Sequence, residues 1–104
     1  MADEDPNLAL AGLRIEIEKR LAKLAEKHGI ETSGRGLGQL LRVLAERQVL
    51  DNQARSVLAD MTGLLNSAVH GATVDPRATD WAISVGPRLL KALDDLAEQG
   101  PPVG

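Results

Sequence analysis

Asn66 and His70 stand four residues apart at the end of the run "LLNSAVHG" (64–71), and Arg14 and Glu18 stand four apart in "LRIEIEKR" (13–20). On a helix, a spacing of four puts both members of a pair on one face. Imidazole titrates nearest to neutral pH, so His70 is the candidate general acid or base, with Asn66 as its polar neighbour. Nucleophilic catalysis would need an activated nucleophile as well. Ser67 precedes His70 by three positions but lies roughly 60° off its face, and no Asp is placed to orient the imidazole. His28 and His70 lack a carboxylate at ligand spacing, and the chain has no cysteine, so neither a metal nor a thiolate site is expected. No cofactor is expected either. The same four residues also have a purely structural use. An Arg–Glu pair at i,i+4 stabilises its own helix by a few tenths of a kcal/mol, and Asn and His near a helix C-terminus satisfy loose carbonyls.

Four helices are predicted to position these residues. The first covers 7–28, with Asn7 as N-cap after Pro6 and His28-Gly29 as its stop. Leu10, Leu13, Ile17, Leu21, Leu24 and His28 form one stripe; Glu16, Lys19, Arg20, Lys23, Glu26 and Lys27 face water. Arg14 and Glu18 break this pattern by projecting beside the stripe, among Ala11, Ala22 and Ala25. The loop "GIETSGRGLG" (29–38) has the glycine spacing of a phosphate cradle, but no strand precedes it and no Lys-Ser/Thr follows.

A second helix over 37–48 is expected to bury Leu37, Leu40, Leu41 and Leu44. The third, over 52–70, is capped by Asp51 and ended by Gly71. Its central stripe is Leu58, Met61, Leu65 and Val69, with Arg55, Thr62, Asn66 and His70 along one edge. If the first and third helices pack together, Arg14, Glu18, Asn66 and His70 share one polar pocket. The fourth, over 76–98, starts at Asp75-Pro76 and is expected to bury Trp81, Val85, Leu89, Ala92, Leu93 and Leu96. Gly86-Pro87 should kink or loosen one turn, and 99–104 should be a frayed tail.

Composition fits that layout. The 104 residues suit a single domain, 1–104, and 43% hydrophobic with 26% charged residues is ordinary globular chemistry. Trp81 is the sole aromatic residue, so the core must be aliphatic, which favours helix on helix: an all-α compact bundle of about four helices. A formal charge of −3 argues against nucleic acid as an obligate partner. The acidic opening "MADEDPNLAL" does not read as a secretory signal, and no apolar run is long enough to span a membrane. A cytoplasmic protein without membrane insertion is expected.

The segments "LRIEIEKRLAKLAEKHGI" (13–30) and "LLNSAVHG" (64–71) together resemble the HEPN superfamily, and within it the bacterial branch of the domain-of-unknown-function 4145 type. The resemblance runs in order over most of the chain and implies a HEPN-like bundle of four or five helices that pairs into homodimers. Many HEPN domains are metal-independent ribonucleases whose motif is Arg, a short spacer, then His, often with a polar residue directly after the Arg. The two motifs of a dimer face one cleft. Carried over, His70 matches the motif His, Asn66 the polar residue, and Arg14 with Glu18 an R-x-x-x-E pattern frequent on the first helix of that branch.

Leu65 stands where the motif arginine belongs, and a leucine has none of the donors with which a guanidinium grips phosphate. Arg14 or Arg55 is a candidate to supply one from another position. The expectation is therefore a non-catalytic interaction or regulatory module, homodimeric, with a degenerate ribonuclease motif. Two alternatives stand beside it. One is a metal-independent endoribonuclease of toxin or defence type, using His70 and Asn66 on RNA. The other is a docking subunit for a separately encoded nucleotidyltransferase.

Overall fold

Local signals in the chain set the ends of four helices in the computed structural model, which describes residues 6–70 and 75–99. These are α1 (Pro6–Lys27), α2 (Leu37–Glu46), α3 (Asn52–Val69) and α4 (Pro76–Gln99), with no strand among the described residues. Pro6, rather than Asn7, is the first helical residue of α1. Proline suits that position because its missing N–H has no partner there in any case. At the other end, Gly29 adopts the left-handed conformation (φ 73°), its N–H reaching Glu26 O at 3.0 Å while Ile30 N–H reaches Ala25 O at 2.9 Å. Buried Ile30 completes this Schellman stop.

The same device ends α2 at Glu46, two residues before the expected 48. Gln48 takes the left-handed position (φ 59°), donating to Ala45 O at 3.0 Å, and Val49 N–H donates to Leu44 O at 3.0 Å. No glycine marks this stop in the sequence. The Asp51 carboxylate caps α3 by accepting Ala54 N–H at 2.7 Å, and Asp75 caps α4 by accepting Arg77 N–H at 2.8 Å. His70 is the C-cap of α3 rather than its last helical residue. Pro87 lies inside α4, which continues to Gln99, one residue into the expected tail. The expected stop at Gly71, the side chain of Val69 and residues 100–104 lie outside the described residues.

Helix α1 is the hub of the bundle, packing against α2, α3 and α4, whereas α2 and α4 do not meet. The core is aliphatic: Leu10, Ile17, Leu21 and Leu24 from α1, Leu37, Leu40 and Leu44 from α2, Leu58, Met61 and Leu65 from α3, and Leu89 and Leu93 from α4. Leu41 is only half-buried.

The face that α4 buries is rotated from the expected one. Ala82, Gly86, Leu89, Leu93 and Ala97 are buried with Thr79, while Trp81, Val85 and Leu96 are half-buried and Ala92 is exposed. The reason is close approach to α1: a Cβ on Gly86 would stand 2.9 Å from both Cδ atoms of Leu13. Leu13 meets Gly86, Arg20 meets Asp94 and Lys27 meets Ala97, so α1 and α4 run parallel. Leu89 and Leu93 are buried as expected, while the small residues Ala82, Gly86 and Ala97 take the inner positions that Trp81, Val85 and Leu96 were expected to hold. No helix among the described residues is long and apolar enough to cross a membrane.

Candidate functional site

Helices α1 and α3 do pack together, which brings one face of the hub helix to the helix that carries Asn66 and His70. On α1, Arg14 and Glu18 form an ion pair at 3.8 Å with side chains 29% and 38% exposed. Both therefore sit at the rim of the core, as their position beside the leucine stripe requires. Arg14 Nε is buried without a hydrogen-bond partner, and so is Thr62 Oγ1 on α3.

Asn66 is half-buried and His70 exposed. Their one direct link is through the backbone, where His70 N–H donates to Asn66 O at 3.1 Å in the closing turn of α3. Among the described residues, no hydrogen bond or ion pair joins Arg14 or Glu18 to Asn66 or His70. Ser67 Oγ donates to Gly63 O at 3.1 Å, so its hydroxyl proton is directed along its own helix and not towards the imidazole.

Leu65 is 1% exposed and lies in the core with Leu58 and Met61. Arg55, one of the two arginines expected to stand in for a phosphate-binding guanidinium, donates from Nη2 to Asn52 Oδ1 at 3.0 Å at the start of α3. Fifteen residues of helical rise separate it from His70, about 22 Å, which is beyond the reach of one side chain. Arg14 is engaged with Glu18. What this arrangement offers chemically is an exposed imidazole at a helix end, to which, among the described residues, no carboxylate or guanidinium is bonded.

Among the described residues, the most connected polar group lies elsewhere, and the sequence did not point to it. Arg20 joins α1 to α4, its Nε donating to Asp94 Oδ1 at 3.0 Å and its Nη1 to Glu16 Oε1 at 2.7 Å. The hydrogen bond to Glu16 raises the Arg20 pKa, helped by the Asp94 charge and opposed by burial. That bond, with the nearby Lys19 charge, holds the Glu16 carboxyl below its ordinary value. These residues were expected to face water, but α4 packs along that side of α1 and half-buries Glu16 and Arg20. The i,i+4 spacing of Glu16 and Arg20 was a visible signal. Asp94, distant in sequence, gave none.

Compared with known proteins, the chain matches no family model, no curated protein and no solved structure.

Proposed function

We propose that this chain is a non-catalytic interaction or regulatory module of HEPN-like type, acting in the cytoplasm as a homodimer. The observation that carries this reading is Leu65. The position at which the HEPN motif needs a phosphate-gripping arginine is 1% exposed and built into the aliphatic core. A residue there cannot serve both roles, because burying a guanidinium without a partner costs far more than burying a leucine returns. Among the described residues no carboxylate is bonded to His70, and an imidazole without one to orient it is a poor acid or base catalyst.

Self-pairing draws support from the surface. Leu8 is 73% exposed and Ile15 56%, and their spacing of seven puts them on one face of α1, in the half that carries Arg14. Exposed apolar side chains clustered on one helix face are what a two-fold contact buries. Light scattering coupled to gel filtration should give about twice the chain mass at micromolar protein, and Ile15→Glu should return it to the monomer with its helical circular dichroism intact. A monomer at that concentration for the unmodified chain contradicts the homodimer.

A further inference from the structure

We infer that the groove between α3 and α4 is a docking site for an arginine side chain presented next to an aliphatic residue on a partner polypeptide. Among the helices that touch, α3 and α4 share the least extensive contact, and a cavity of about 270 Å³ opens between them. Asp60 and Leu64 line it from α3, Ala78 and Trp81 from α4. Three of the four are apolar, and the fourth is an exposed carboxylate that, among the described residues, has no hydrogen bond or ion pair. Trp81 is the only aromatic residue of the chain and is half-buried, its ring shared between the core edge and this groove.

The lining selects the occupant. Leu64 and Ala78 match an aliphatic stem or a neighbouring leucine. The face of an indole attracts a cation, guanidinium best of all because it is planar and weakly hydrated. The exposed Asp60 carboxylate at the same groove supplies the counter-charge, and a carboxylate suits the guanidinium fork. The cavity is smaller than those that enclose cofactors and suits one or two side chains. A neutral apolar segment would leave Asp60 unused, and an anionic one would be repelled by it. The site goes beyond self-pairing of the module, since it is built from α3 and α4 rather than from the exposed face of α1.

Trp81 is its own reporter. The full chain is titrated with the blocked tripeptide N-acetyl-Leu-Arg-Leu-amide while Trp81 emission is followed, and in parallel with the citrulline tripeptide, equal in shape but neutral. The expected result is a saturable change in emission at roughly millimolar peptide. Replacing arginine by citrulline should weaken binding about fivefold, the sum of a modest cation–π and an exposed ion-pair contribution, and Asp60→Asn, which removes the ion pair alone, about twofold. Asp60 is exposed, so Asp60→Asn leaves the fold intact. Three results overturn the inference: no saturable change, equal response to the citrulline peptide, or unchanged affinity in Asp60→Asn. Emission that shifts with protein concentration alone, without peptide, also overturns it, because a second copy then covers the groove. Dimer mass is measured on the same sample, so failure of self-pairing is read separately.

Discussion

Replacing Leu65 by alanine probes whether position 65, which the proposed HEPN-like reading matches to the motif arginine, is held by packing. The side chain is 1% exposed and sits among Leu58, Met61 and the α1 leucines of one continuous core. Three carbons are lost, at about 0.8 kcal/mol each for transfer from water, or about 2.4 kcal/mol. A cavity term adds to this wherever the surroundings collapse only in part, and measured core Leu→Ala losses run about 2–5 kcal/mol. The expected loss is about 3 kcal/mol, read by urea denaturation followed by circular dichroism, with the denaturant slope unchanged. In a domain of this size the melting temperature should fall by about 15 °C or more. Leu65→Arg should lose more than Leu65→Ala, because it adds a buried, unpartnered charge to the lost packing. A loss below about 1 kcal/mol for Leu65→Ala, or a well-folded Leu65→Arg, would refute the reasoning. Position 65 would then tolerate an arginine, and its leucine would no longer support the proposed non-catalytic reading.

Two helix stops of identical hydrogen bonding but different residues should respond with opposite signs. Gln48→Gly should stabilise by about 0.5–1 kcal/mol, since glycine relieves the left-handed strain, whereas Gly29→Ala should cost about 1 kcal/mol; equilibrium denaturation of the two variants checks both. Glu16 titrates below its ordinary carboxylate value of 4.5, first through its bond to Arg20 and then through Lys19. A lowered folded-state pKa contributes stability that is fully present above the unfolded value and is lost as pH falls through the folded one. Glu16→Gln should therefore be less stable than the unmodified chain at about pH 7, and that difference should shrink by about pH 3. A difference that grows on acidification would contradict the assignment.

Much of the architecture was legible because it is written locally. Asp51 and Asp75 announce α3 and α4, Gly29 announces the end of α1, and the leucine stripes of α1 and α2 face inward as their spacing requires. The position of Arg14 and Glu18 at the edge of the α1 stripe, and their mutual pairing, followed from periodicity alone. What was not legible depends on a partner helix. The early stop of α2 rests on Gln48, a residue with no intrinsic preference for the left-handed conformation. The inner face of α4 is chosen by Gly86, which lets Leu13 lie against it, and this rotates Trp81 from the expected core to the groove with α3. Hydrophobicity ranks Trp81 and Val85 above Ala82 and Gly86, but close packing of two parallel helices favours the smaller pair. Arg20–Asp94 is invisible for the same reason, since only the packing of α4 against α1 brings the two together.

The claim that His70 is kept without ribonuclease chemistry is tested most directly by single-stranded RNA incubated with the purified chain in excess chelator, at high protein concentration, beside His70→Ala. Leu65 buried in the core, and an exposed imidazole to which no carboxylate is bonded among the described residues, lead to one expected result: the RNA stays whole, and the two proteins are indistinguishable. Cleavage by the unmodified chain that disappears in His70→Ala would contradict the account and make the exposed end of α3 a catalytic site.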